Sequence, residues 1–286
     1  MSDHSRGLAG RTCLITGATG GIGEATARGL ARLGAVVVVH GRDAAKGRRT
    51  LEQIKRATGN ADVRFLEGDL ASLAEVHRLA EELDRSLPRL DVLVLNAGIA
   101  CAHRTTTADG HETTFAVNHL SHFLLTKLLH PMLARSDAGR IVVVSSEAHR
   151  RAHLDLDDLM LERGYGQWVA YCRSKLANLL FTRALARRLA GTPLTCNALH
   201  PGVVRTGIFR NAPALLRGVL SSIGRPFLLS PEQGARTSTY LASSTDVAGL
   251  SGGYYIRCKP AQPSSAALDD GAAERLWEAS EKLVGA

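Results

Sequence analysis

Short apolar runs rich in β-branched residues, each closed by turn formers, recur along the chain. They are Thr12–Thr16, Val36–His40, Val63–Glu67, Asp91–Leu95, Ile141–Ser145, Leu194–Leu199 and Gly253–Ile256. Several are continuously apolar rather than alternating, the pattern of parallel strands covered on both faces. Most are separated by amphipathic stretches such as Glu24–Leu33 and Leu73–Leu87, long enough to be crossover helices. This alternation predicts right-handed βαβ units, hence an α/β fold with a doubly wound parallel sheet of about seven strands and helices on both faces. No Pro/Gly/Ser-rich linker interrupts it, so residues 1–286 read as a single domain with residues 1–10 as an N-terminal tail. Asp269–Ala286 reads as a closing surface helix whose apolar contacts are Leu276, Trp277 and Leu283.

In such sheets ligands bind at the carboxyl ends of the strands, near the reversal of strand order. The residues that carry chemistry fall there. The first strand ends in Thr16-Gly17-Ala18-Thr19-Gly20-Gly21-Ile22-Gly23 and leads into a helix. Gly17 supplies the turn, Gly21 lets backbone approach phosphate and Gly23 lets the helix pack on the strand, while free N–H groups face a pyrophosphate. Strand, glycine turn and helix in that order make a Rossmann-type dinucleotide site, with Thr19, Gly20 and Ile22 completing its turn.

The second strand ends His40-Gly41-Arg42-Asp43. An acidic residue at that tip would bind the ribose 2′-hydroxyl of NAD. Arg42, with Lys46 one helical turn further on, suits a 2′-phosphate instead, so the expected cofactor is NADP(H). Asp43 weakens that reading if its carboxylate faces the ribose. Asp69 and Leu70 close the third strand, where a carboxylate can accept from the adenine amino group. Asn96, Ala97 and Gly98 close the fourth, small enough to admit the adenine-side ribose.

Ser145 and Ser146 close the fifth strand. A hydroxyl there can polarise a substrate carbonyl. Tyr171 and Lys175 are spaced i, i+4 on one helical face. An ammonium beside a phenol favours the phenolate, so Tyr171 is expected to exchange its proton nearer neutral pH than its free pKa of about 10. Pro201, Gly202, Val204 and Thr206 follow the sixth strand in a turn that can cradle nicotinamide.

Composition narrows the alternatives. The net charge is +8, but the arginines lie in dispersed doublets rather than a basic stripe, which argues against nucleic acid as partner. Cys13, Cys101, Cys172, Cys196 and Cys258 are scattered and odd in number, as expected of reduced thiols in a cytosol. With no apolar run near the ~18 residues of a membrane span, the expectation is a soluble cytoplasmic protein. His119 and His122 lack a third ligand at zinc-like spacing and read as helix packing. His149 and His153, beyond Ser146, are candidates for substrate contact. Without a G-x-S-x-G elbow, serine-hydrolase chemistry has no support.

The ordered set T-G-x-x-x-G-x-G, N-A-G, Asn118, Ser146, Y-x-x-x-K and P-G-x-V-x-T resembles the short-chain dehydrogenase/reductase superfamily over nearly the whole chain. The phrases Val117–Phe123, Tyr171–Asn178, His200–Val204 and the final stretch Ser251–Leu283 resemble its retinol-dehydrogenase-like branch. The resemblance implies Tyr171 as general acid and base, and Lys175 as the group that lowers its pKa and binds the nicotinamide ribose. It also implies Ser146, rather than Ser145, as the hydroxyl on the carbonyl, and Asn118 as holder of a water linking Lys175 to solvent. Leu95 stands where many members have a second asparagine. Animal members of that branch often carry an N-terminal membrane anchor, and residues 1–10 contain no such apolar run. Relatives are often dimers or tetramers, so analogy alone admits a homo-oligomer.

The expected activity is therefore NADP(H)-dependent interconversion of a carbonyl and an alcohol on an apolar small molecule. The rival readings are a tailoring ketoreductase of a secondary-metabolite pathway and a non-catalytic NADP(H)-binding regulator. Residues 208–229 are a candidate substrate lid, with Leu215, Leu216, Val219, Leu220 and Ile223 on one helical face. The connection Glu147–Val169 is expected at the same mouth.

Overall fold

The computed structural model describes residues 7–204 and 228–285. Eight strands form one sheet: β1 (Thr12–Ile15), β2 (Val36–Gly41), β3 (Val63–Glu67), β4 (Val92–Leu95), β5 (Arg140–Val144), β6 (Thr195–His200), β7 (Tyr254–Ile256) and β8 (Lys259–Pro260). Their spatial order is 3-2-1-4-5-6-7-8, and all pairs are parallel except the terminal hairpin β7–β8. Strand order reverses at β1, which pairs with β2 on one side and β4 on the other. The diverging crossovers open a crevice at the carboxyl ends of these strands. β8 is the strand the sequence did not announce, because two exposed residues, one a proline, carry no period-2 signal.

Helices α1 (Gly21–Arg32), α2 (Ala44–Thr58), α3 (Leu73–Ser86), α4 (Ser121–Leu133), α5 (Gln167–Arg188), α6 (Pro231–Ser243) and α7 (Asp270–Val284) cover both faces. Strand side chains sort by alternation. Leu14, Val38, Leu93, Leu95, Ile141 and Val143 join the core beneath α3, α4, α5 and α7. Cys13, Ile15, Val37, Val39, Val92, Val94, Val142 and Val144 join the core beneath α1, α2 and α6. Both sets are apolar, which is why the sequence runs are continuous.

The final helix is more than a surface element. Leu276 and Trp277 are buried. The Trp277 ring lies 4.8 Å from Phe123 and 6.0 Å from Phe181, and the Arg188 guanidinium sits 4.0 Å over it. Arg187 and Arg188 pair with Glu274 at 2.6 Å, fixing the register of α7 along α5. No helix among the described residues is long and apolar enough to cross a membrane.

Removing the indole leaves a cavity where three aromatic rings and a guanidinium meet. Trp277→Ala should therefore cost about 3–5 kcal/mol of stability, read as a fall in the denaturant midpoint. An unchanged midpoint would show that α7 contributes nothing to the core.

Candidate active site

The glycine turn after β1 is built by close approach. Gly17 has φ +62°, and a Cβ there would lie 2.8 Å from the Ala97 Cα, so the turn fits directly against the end of β4. A Cβ on Gly23 would lie 2.5 Å from the Gly17 carbonyl oxygen, which is what brings α1 close behind the turn. Thr16 joins the two tips: its Oγ1 accepts from the N–H groups of Asn96 and Ala97 at 2.9 and 3.0 Å. The Asn96 amide in turn donates to the Thr16 and Gly17 carbonyls at 2.8 and 3.2 Å.

His40 is a further part of this frame whose role the sequence reading missed. Its Nδ1 accepts from the Gly17 N–H at 3.3 Å and its Nε2 contacts the Gly68 carbonyl at 3.1 Å. One neutral imidazole thus holds the glycine turn to the end of β3, and burial pushes its pKa down to about 4. No spacing rule announces a bond across 23 positions.

At the tip of β2, Arg42 is exposed and takes part in no ion pair among the described residues. Asp43 is otherwise engaged. Its Oδ1 caps α2 by accepting from the Lys46 N–H at 3.0 Å, and its Oδ2 lies 3.4 Å from the Lys46 ammonium. These contacts hold its carboxyl below the usual range, the backbone bond being the largest cause. Thr19 packs against Gly41 beside Arg42, since a Cβ on Gly41 would lie 2.5 Å from the Thr19 methyl. Asp69 is half-buried, with Oδ1 accepting from the Ala71 N–H at 3.0 Å, and Leu70 is buried beneath it.

Before α4 the chain runs from a single turn, Thr113–Phe115, through a π-helical stretch, Ala116–Leu120, that contains Asn118. The extra residue per turn is a common device at functional sites. Asn118 Oδ1 accepts from the Ile99 N–H at 2.8 Å, and Nδ2 donates to the Ile99 carbonyl and to Ser174 Oγ, both at 2.9 Å. It therefore clamps the exit of β4 to α5. A Cβ on Gly98 would lie 3.6 Å from this Oδ1 and 3.4 Å from Lys175 Nζ, so the absent side chain leaves a polar gap between them.

The two serines after β5 have separate duties. Ser145 Oγ donates to the Lys175 carbonyl at 2.7 Å and is buried, fastening β5 to α5. Ser146 is half-buried, accepts from the Ala148 N–H at 3.2 Å, and its hydroxyl is near enough to Tyr171 to favour the phenolate. The Tyr171 ring packs against Ala100, Ala148 and Cys172. One turn earlier on α5, the exposed Trp168 stacks on it at 6.0 Å.

The pKa expectation for Tyr171 is corrected here. Burial pushes the phenol up to about 12, and the Ser146 hydroxyl opposes this only in part. Lys175 is itself buried, with Nζ donating to the Val144 carbonyl at 3.0 Å, and desolvation pushes its pKa down to about 8. The i, i+4 spacing predicted a shared face, which holds, but says nothing about burial, which dominates both shifts.

Other expectations are settled by location. His149 is fully buried, not at the mouth, while His153 is exposed. His119 and His122 face different partners, Ser280 and Thr16, at 2.8 and 3.1 Å. The connection Glu147–Val169 is strapped down: the buried Arg173 guanidinium donates to the Asp155 and Asp158 carbonyls, both at 2.7 Å. After β6, Gly202 has φ +88°, and the Leu229 N–H donates to the Val203 carbonyl at 2.9 Å. Pro201 and Val204 lie in this turn. Thr206 and positions 208–227 of the candidate lid lie outside the described residues.

Comparison with known proteins agrees with this geometry. Residues 11–215 match the family model described as short chain dehydrogenase. The chain is 44% identical over 291 residues to human retinol dehydrogenase 14, covering 96% of this chain and 87% of that protein. A crystal structure of a putative uncharacterized protein from Mycobacterium Paratuberculosis superposes with a TM-score of 0.79 at 37% identity, covering 97% of this chain and 94% of that one. A putative short chain dehydrogenase from Shigella flexneri 2a, complexed with NADP, superposes with a TM-score of 0.71 at 27% identity, covering 89% of this chain and 100% of that one. Sheet order, glycine turn and the Ser146–Tyr171–Lys175 cluster thus converge with these similarities: the chain belongs to the short-chain dehydrogenase/reductase family of oxidoreductases, in its retinol-dehydrogenase-like branch.

Proposed function

We propose that the protein is an NADP(H)-dependent oxidoreductase that interconverts a carbonyl and an alcohol on an apolar small molecule. The observation that carries this reading is the meeting of Ser146, Tyr171 and Lys175 at the ends of β5 and α5, beside a turn shaped for a dinucleotide. Gly17 seats that turn against the end of β4, and at Gly20 a Cβ would meet nothing within 4 Å, so the turn presents open backbone and the residues present fit the cofactor. Gly17, Gly20, Gly21, Ile22 and Gly23 would hold its pyrophosphate, and Asp69, Leu70, Asn96 and Ala97 would frame the adenosine. Pro201, Gly202 and Val204 would meet the nicotinamide, whose bound form supplies the hydride.

In reduction Tyr171 donates its proton to the carbonyl oxygen while Ser146 holds that oxygen by a hydrogen bond. A phenol with a raised pKa is fully protonated at neutral pH, the state required of an acid. Lys175 keeps a positive charge nearby that favours the phenolate as it forms. Asn118 and Gly98 leave a gap beside Lys175 in which a water can return the proton. In oxidation the same groups run in reverse. The similarity to retinol dehydrogenases and the apolar surface of Trp168 and Val169 favour an apolar substrate.

NADP(H) is preferred over NAD(H) because Arg42 is exposed at the ribose end while the Asp43 carboxylate is taken up by α2 and Lys46. The structural neighbour that contains NADP is consistent with this choice.

A screen of the purified protein with NADPH against retinal, aryl ketones, steroids and quinones tests the activity. Turnover of an apolar member is expected; NADPH binding with no turnover of any carbonyl would favour a non-catalytic regulator. Tyr171→Phe keeps the ring and should bind NADPH normally yet lose roughly 10²–10⁴ in rate. Retention of more than about a tenth of the turnover, with chemistry rate-limiting, would remove Tyr171 from that role.

For the cofactor, a charge-assisted contact contributes about 1.5–3 kcal/mol, so NADPH should be favoured over NADH roughly ten- to hundred-fold. Arg42→Ala should erase most of that ratio and leave NADH kinetics nearly unchanged. Equal use of both cofactors by the wild type would contradict the assignment.

A further inference from the structure

His149 lies three residues beyond Ser146 in a one-turn 3-10 helix, Glu147–Arg151, and is completely buried. Both ring nitrogens are engaged. Nε2 is 3.0 Å from the backbone N–H of Ser264, which can only donate, so Nε2 accepts. Nδ1 must then carry the proton, and it lies 2.7 Å from the Ser146 carbonyl oxygen. One tautomer of the neutral ring satisfies both contacts. The Tyr254 ring meets the imidazole edge-on at 5.4 Å, and the Tyr254 hydroxyl donates to Glu147 at 2.8 Å.

The bond falls on the residue whose hydroxyl matters most. Ser146 has left the strand and has no ladder partner, so the orientation of its peptide depends on individual contacts: the Glu147 N–H donates to His200 Nδ1 at 3.3 Å, and the Ser146 carbonyl is held by His149. Its carbonyl receives two donors from one residue, the His149 ring and the His149 backbone N–H at 3.1 Å. Rotation of that peptide would swing the Ser146 side chain away from Tyr171. The other end of the imidazole is fixed to Ser264, which precedes α7 and lies beyond residues 11–215 of the family match.

We propose that His149 is a positioning residue. Its neutral imidazole bridges the Ser146 carbonyl to the Ser264 N–H, so that the carboxy-terminal segment sets the aim of the Ser146 hydroxyl. This rests on the reading of Ser146 as a participant in carbonyl chemistry. The strained alternative state is easily named: a second proton on Nε2 would set two N–H groups against each other, and burial likewise holds the ring's pKa below its ordinary value.

The test is steady-state and single-turnover reduction of an apolar carbonyl by NADPH. His149→Leu removes both bonds; since misplacement of about 1 Å can cost a hundredfold, kcat should fall roughly ten- to a hundredfold, with NADPH Kd and substrate KM near wild type. His149→Asn places an amide donor near the position of Nδ1 but leaves the Ser264 N–H without its acceptor, so it should recover part of that loss, to about the level of a Ser264→Pro enzyme. Ser264→Pro deletes the distant N–H at a residue whose φ of −68° proline accepts; it should lower kcat while leaving the Glu147–Arg151 turn untouched. In a Ser146→Ala background none of the three should matter, because the hydroxyl they aim is gone. Equal fold losses with and without the Ser146 hydroxyl, or a His149→Asn enzyme that folds yet is no better than His149→Leu, would overturn the proposal. A wild type inactive on every carbonyl would instead defeat the functional reading beneath it.

Discussion

Lys175 carries its ammonium into the interior, 3% exposed, where the Val144 carbonyl at 3.0 Å is the hydrogen-bond partner it reaches. Removing such a cation from water costs several kcal/mol, and the parallel sheet must absorb that cost elsewhere. The same burial disfavours the anionic form of Tyr171, so the two residues resist charge in opposite senses. A buried ammonium gains most from an anion forming beside it, and a phenol that gives up its proton supplies one. Under the proposed function, this arrangement suits proton donation at the moment a neighbouring oxygen gains charge better than a standing phenolate.

Much of the surrounding structure exists to hold that pair in place. Ser145 joins β5 to the Lys175 carbonyl, Asn118 joins β4 to α5 through Ile99 and Ser174, and Thr16 joins β1 to β4. Three strand tips and one helix are thus connected by four short polar side chains, none of them charged. Arg173 performs the same service on the outer side by tying down the connection between Ser146 and Tyr171. α7 packs Trp277 against Phe123 and Phe181, buttressing α5, which carries Tyr171, and α4, which follows directly on the stretch that carries Asn118.

The sheet was legible because most of its strands are apolar on both faces and the crossover helices are amphipathic, patterns contained within a few residues. Gly17 and Gly23 were legible for a similar reason: strand, turn and helix are consecutive. Ser146 was separable from Ser145 only by resemblance, and the geometry now supplies a physical distinction, since the Ser145 hydroxyl is spent on α5. What escaped was pairwise and distant. His40 and His149 find their partners 28 and 115 positions away, and a lone histidine has no period or spacing to betray such a bond. The sign of the Tyr171 shift escaped because spacing encodes proximity and not desolvation. β8 escaped because two exposed residues have no pattern to read.

The central claim is that this cluster transfers a hydride from the nicotinamide to a carbonyl carbon while Tyr171 protonates the oxygen. The most direct measurement uses NADPH deuterated at the transferable position of the nicotinamide ring, with an apolar ketone or aldehyde, followed by mass analysis of the alcohol. One deuterium on the carbinol carbon, appearing as NADPH is consumed, is the result expected. Alcohol formed without deuterium, or NADPH left unconsumed with every carbonyl supplied, would contradict it.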